Sequence, residues 1–161
     1  MTAEDYTSQV TTHWKFRLFL ITRLPFAWLA GLRVKRFDDE TSEVHIRYKY
    51  LNKNPFRSIY FAALAMAAEL STGIFAFRYA QLQKPLVSML VTGMEAQYHK
   101  KAVGRIRFVC EDGGNVRDII EETRKTGEGV TIKMKSTGYD AQNDVVAEFW
   151  FTWSFKVKSK G

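Results

Sequence analysis

From Val145 to Val157 every second residue is apolar, with Val145, Ala147, Phe149, Phe151, Trp153, Phe155 and Val157 in strict alternation. Period two sends successive side chains to opposite faces of an extended chain, so this stretch predicts a strand with one buried face. A shorter alternation, Val44, Ile46, Tyr48 and Tyr50 against His45, Arg47 and Lys49, predicts a half-buried strand. Before it, Val34 and Phe37 lead into the polar turn 38–42, which makes the pair a hairpin. Strands are also predicted over Leu86–Tyr98, Ala102–Glu111 and Val130–Ser136.

Between the two groups of strands the period changes. Ile59 to Ala80 is apolar nearly all the way round, and a helix of that kind is enclosed by protein. Asn54-Pro55 breaks the preceding strand, Ser58 is placed to cap the helix, and Lys84-Pro85 ends it. A shorter helix is expected after Asn115, with Val116, Ile119 and Ile120 inward and Gly127 as its stop. At the N-terminus, Val10, Trp14, Arg17/Leu18 and Ile21 recur at helical spacing, which predicts one helix over Thr7–Arg23 docked on the core. The order is helix, two strands, long helix, four strands. It predicts an α+β fold in which an antiparallel sheet curves around the long central helix, with an extra helix in front.

One residue disturbs the central helix. Glu69 is the sole carboxylate between Ile59 and Ala80. Burying an ionisable group in such a segment is costly, so it requires a partner or a chemical task. Residues three, four and seven positions away are Ala62, Ala65, Met66, Thr72, Gly73 and Ala76, a mostly small stripe that lets another surface approach.

Composition narrows the classes. The chain has 161 residues, enough for one domain with a substantial core, and 46% are hydrophobic, which excludes disorder. Cys110 is the only cysteine, so no intramolecular disulfide forms, and a reducing, cytoplasmic setting is expected. The start lacks the basic and apolar regions of a signal peptide. The early hydrophobic stretch from Phe16 to Val34 is broken by Arg17, Arg23 and Pro25. Each arginine costs about 2.5–3.5 kcal/mol at a bilayer centre, so no integral membrane segment is expected there. Its mix of aromatic and basic residues suits either a membrane surface or ordinary packing, and packing is the expectation. Lysine and arginine are spread along the chain without a long basic block, and the net charge of +7 favours anionic ligands. Nucleic acid is not expected, because aromatics at period two belong to a core rather than to a stacking platform. Metal binding is not expected either, since His13, His45 and His99 lack ligand spacing; the latter two are expected on exposed sides of strands.

The segment Asn54-Pro-Phe-Arg-Ser-Ile-Tyr-Phe-Ala-Ala-Leu-Ala-Met-Ala-Ala-Glu69-Leu-Ser-Thr-Gly73, followed by Tyr98-His-Lys-Lys-Ala102, resembles the hotdog-fold thioesterase-like superfamily, in the branch called domain of unknown function 4442. The resemblance implies one hotdog domain over 1–161, with 1–31 as an N-terminal helical extension. It also implies at least a homodimer, or a tetramer, with acyl-thioester sites between subunits. Asn54 and Glu69 match the family's loop asparagine and catalytic carboxylate, while Tyr60-Phe61-Ala62 stands where related acyl-CoA thioesterases carry His-Gly-Gly.

The expected activity is therefore acyl-CoA hydrolysis. Glu69 would serve as base or nucleophile, and helix-start amides around Tyr60 and Phe61 would hold the thioester carbonyl. Asn54 would orient the carbonyl or the water, and Ser88 or Thr92 would position that water. Arg57, Lys100, Lys101 and Arg105 are candidates to meet the phosphates of coenzyme A, which enters only as part of the substrate. The alternative is a non-catalytic module that holds a fatty-acyl chain in the same cleft, since a tyrosine and a phenylalanine within the stretch that replaces His-Gly-Gly narrow the helix start.

Overall fold

The alternating segments form one six-stranded antiparallel sheet in the computed structural model, which describes residues 3–158. Three helices come first: α1 (Ala3–Thr11), α2 (His13–Arg23) and α3 (Pro25–Ala30). Strands β1 (Arg33–Phe37) and β2 (Ser42–Arg47) come next, then a short turn of 3-10 helix (Tyr50–Asn52) and the central α4 (Phe61–Gln81). The remainder is β3 (Val87–Tyr98), β4 (Arg105–Cys110), α5 (Gly113–Thr126), β5 (Val130–Tyr139) and β6 (Val145–Val157). Spatial order is β1-β2-β4-β5-β6-β3, so β1 and β3 are the edges. The sheet curves around α4, the hotdog arrangement that the resemblance implies.

Small polar groups fasten α4 into the sheet. Ser42 Oγ donates to Ser71 O (2.6 Å), Ser71 and Ser136 share a hydroxyl bond (2.8 Å), and Trp153 Nε1 donates to Thr72 Oγ1 (3.0 Å). Each is buried, so each bond satisfies a group that would otherwise be stranded away from water. Around them pack Phe75, Phe108, Phe149, Phe155 and Ile106, all fully buried. By length and hydropathy α4 could cross a membrane, yet most of it lies inside the protein.

Several local expectations shift. The N-terminal helix is broken at Thr12, whose backbone is extended (φ −76°, ψ 112°), and the break resets which side of α2 faces inward. Tyr6, Val10, Phe16 and Leu20 face the core, whereas Trp14, Leu18 and Ile21 point outward. Ser58 does not cap α4; its hydroxyl and amide are bound to Asn54, and Tyr60 is the N-cap. The second strand ends at Arg47, and Tyr50 is exposed in the 3-10 turn. Asp112 rather than Asn115 precedes α5, while Gly127 ends it in the left-handed region (φ 76°). His45 is half-buried against Glu43, and His99 pairs with Glu148 just beyond β3.

Candidate functional site

Glu69 projects from the one side of α4 that the sheet leaves uncovered. Ala62, Ala65, Met66, Glu69, Gly73 and Phe77 are half-buried along this side, while the residues between them are mostly enclosed. Helices α1 and α2 pass over its C-terminal half. Between them and α4 runs an open groove of about 1120 Å³, slightly above the usual size range of small-molecule sites. Val10, Phe19, Leu70, Ile74, Phe77 and Met89 supply its apolar walls, and Glu69 reaches into it.

Tyr6 holds the roof to the floor. Its hydroxyl donates to Ile74 O (3.1 Å) and its ring stacks on Phe77, with centroids 5.6 Å apart. Burial pushes the Tyr6 phenol well above its ordinary range, so it remains a neutral donor. Burial likewise raises the Glu69 carboxyl above the usual glutamate value, and no charged neighbour offsets the effect. Room for that carboxylate comes from Gly73, one turn further on: a Cβ there would stand 3.0 Å from Glu69 Oε1.

Of the residues proposed from sequence, Glu69 alone lines the groove. Asn54 is committed to its own turn, with Oδ1 accepting from the amides of Phe56 (3.0 Å) and Ser58 (3.1 Å) and Nδ2 donating to Ser58 Oγ (2.9 Å). Tyr60 and Phe61 are exposed at the helix start, their rings 4.8 Å apart. The Tyr60 amide is taken by Asn52 O (2.8 Å), whereas those of Phe61 and Ala62 have no acceptor among the described residues. Phe61 is eight residues from Glu69, about 12 Å along a helix axis, so the two cannot grip one carbonyl within a single chain. Ser88 and Thr92 donate to Lys156 O (2.9 Å) and Thr152 O (3.2 Å), away from the groove.

The cationic candidates cluster differently. Ile59 N donates to Ala102 O (2.8 Å), which brings the loop carrying Lys100 and Lys101 alongside the entry to α4. Arg57, Lys101 and Arg105 are exposed there, with Arg57 in the left-handed region (φ 59°). Lys100 is bound by Asp140 (2.6 Å) and Asp144 (2.8 Å) and is no longer a free cation. Among the described residues no group of histidines, cysteines and carboxylates could hold a metal. Burial pushes the Cys110 thiol up to about 12, leaving it inert.

Sequence reasoning missed Asn52. This buried side chain donates to Ala30 O (3.0 Å) and Arg47 O (2.9 Å) and accepts from Lys49 N (2.9 Å), tying α3, β2 and the approach to α4 together. It missed the groove walls on α1 and α2 too, which no local pattern identifies.

A family described as "Domain of unknown function (DUF4442)" matches residues 12–155. No curated protein matches the chain. Among solved structures, a Pseudomonas aeruginosa protein of unknown function called a probable thioesterase superposes with TM-score 0.72 at 21% identity, covering 90% of this chain and 96% of that one. A Chlorobaculum tepidum protein of unknown function gives 0.75 at 17% identity, covering 94% and 99%. A Haemophilus influenzae thioesterase gives 0.63 at 9% identity, covering 88% and 90%. At these identities the likeness establishes the shared fold.

Proposed function

We propose, from the premise that this chain belongs to the DUF4442 family of thioesterase-like hotdog proteins, that it hydrolyses an acyl thioester such as an acyl-CoA. The observation that carries this reading is Glu69: a carboxylate with a raised pKa, held among apolar walls and open to a groove. Such a group is suited to take a proton from water near neutral pH. The water oxygen then attacks the thioester carbonyl, the tetrahedral oxyanion collapses, the C–S bond breaks, and the thiolate leaves with a proton. The carboxylate could instead attack directly, forming an anhydride that water opens.

The oxyanion needs donors, and the free amides at Phe61 and Ala62 are the ready ones. Since they lie two turns from Glu69 on the same helix, the reading places Glu69 of one subunit opposite the helix start of another in a homodimer. An uncovered seam supports this assembly. Strand β3 pairs only with β6 among the described strands, and its Met94, Ala96 and Tyr98 sit opposite the inward-facing Phe151, Phe149 and Ala147. Cross-strand partners share a face, so these residues belong to the helix side of the sheet, yet Met94 and Tyr98 are half exposed. Arg57, Lys101 and Arg105, beside the helix start, would then face the coenzyme A phosphates. A reducing, cytoplasmic setting suits the free, buried Cys110.

The second reading, a fatty-acyl carrier without turnover, is favoured by Tyr60 and Phe61, whose exposed rings crowd the helix start. Thiol release from acyl-CoA substrates of graded length separates the two. Turnover that Glu69→Gln removes while folding and acyl affinity persist supports hydrolysis. Saturable acyl binding without thiol release supports the carrier, and turnover unchanged by Glu69→Gln removes the proposed mechanism.

A further inference from the structure

The positive charge of this chain is concentrated, although a count along its length disguises the fact. Between Asp5 and Asp38 there is no carboxylate, and the stretch carries Lys15, Arg17, Arg23, Arg33, Lys35 and Arg36. Six of the seven net charges therefore arise there. The same stretch forms α2, α3 and the edge strand β1, and all six cations are exposed. Lys15, Arg17, Arg23, Arg33 and Lys35 form no ion pair among the described residues; Arg36 pairs with Asp38.

On this basic ground stands a set of exposed apolar side chains. The break at Thr12 turns Trp14 (65% exposed) and Leu18 outward, and α3 adds Phe26 (76% exposed), Trp28 and Leu29. Large apolar side chains exposed on two successive, packed helices mark an interaction site. Aromatic rings interleaved with unpaired cations are the chemistry of a water–lipid boundary, where rings enter the headgroup layer and cations meet lipid phosphates. We propose that the α2–α3 face docks on the surface of an anionic lipid bilayer.

The position of the face fits that occupant. Trp14, Lys15, Leu18, Arg23 and Leu24 border the same groove that holds Glu69, so a bilayer seated here lies against the groove mouth. Apolar chains would pass between membrane and groove without crossing water. Docking is independent of whether Glu69 performs chemistry, and it is read by binding alone.

The test uses the full chain with vesicles of phosphatidylcholine alone or mixed with phosphatidylglycerol, with co-sedimentation and tryptophan emission as readouts. Expected are binding to the anionic vesicles, weakening as salt rises, and a blue shift that Trp14→Phe diminishes. The paired substitution Arg17→Glu with Arg23→Glu should lower the partition at least about tenfold, and Phe26→Ser should lower it on both kinds of vesicle. All four positions are exposed, so unchanged melting temperatures certify the folds. No binding at low salt, or equal binding by the charge-reversed protein, overturns the proposal. So does a Phe26→Ser variant that sediments as a smaller oligomer with its vesicle partition intact, because the face would then lie between copies of the chain.

Discussion

Glu69 and Gly73 form one unit: the carboxylate occupies the space that a side chain at position 73 would fill, with Oε1 3.0 Å from where that Cβ would stand. Glycine within a helix is costly by about 0.5–1 kcal/mol relative to alanine, so its place here is set by the neighbouring carboxylate rather than by the helix.

Gly73→Ala separates stability from activity. The alanine favours the helix by about 0.5–1 kcal/mol, and the contact it makes is with the end of a flexible side chain, which can yield. Thermal unfolding should show an unchanged or raised Tm, while thioester turnover falls if Glu69, which the alanine displaces, is the base. Gly113→Ala is the contrast: its Cβ would come 2.3 Å from Asp39 O, a backbone atom that cannot yield, and a loss of about 1–3 kcal/mol is expected by urea denaturation.

The raised pKa of Glu69 has a definite sign in stability. In the native state the carboxyl keeps its proton to a higher pH than in the unfolded chain, whose value is near 4.5. Native protein therefore binds more protons above that point, and the stability contribution present below it is lost as pH rises through the native pKa. Glu69→Gln should match the parent in Tm at pH below the unfolded value and exceed it at neutral pH. If Glu69 is the base, the same titration appears as an acid limb in kcat, with its midpoint above the ordinary glutamate range.

The two loop asparagines should behave differently. Asn52→Ala strands one buried carbonyl, one part-buried carbonyl and a part-buried amide and should cost about 2–4 kcal/mol. Asn54→Ala loosens a turn with a largely exposed rim and should cost about 1 kcal/mol. Turnover by the Asn54 variant distinguishes a turn residue, whose loss leaves kcat nearly intact, from one that touches substrate.

Met94→Lys tests the uncovered side of β3. Half exposed in the single chain, a lysine there should leave the subunit folded yet carry charge into the proposed seam. Sedimentation should show a lower mass than the parent, with turnover falling in parallel if each site draws on two chains.

How far the sequence reached is clearest from three segments. The boundaries of β6 are read from alternation alone, since period two is a local property that a single strand satisfies or does not. The enclosed α4 and its lone acid were equally legible, because a run of apolar positions that long leaves little choice of environment. The entry to α4 was not. Ser58 is the cap-type residue there, but its hydroxyl and amide are bound to Asn54, and the helix begins after Tyr60, which makes no side-chain cap bond.

The chain by itself thus determined the order of elements, the burial of the central helix and the identity of its one carboxylate, all set by short-range periodicity and the cost of burying charge. Only the tertiary structure decided what that carboxylate faces. The extended backbone at Thr12 rotated Phe16 and Leu20 inward and Trp14 and Leu18 outward, so α1 and α2 roof a groove over Glu69 and present an apolar, basic face. A change of phase at one residue is nearly silent in a pattern of apolar positions, because several helical faces of that segment are greasy enough to serve, and packing against α4 and β1 selects among them.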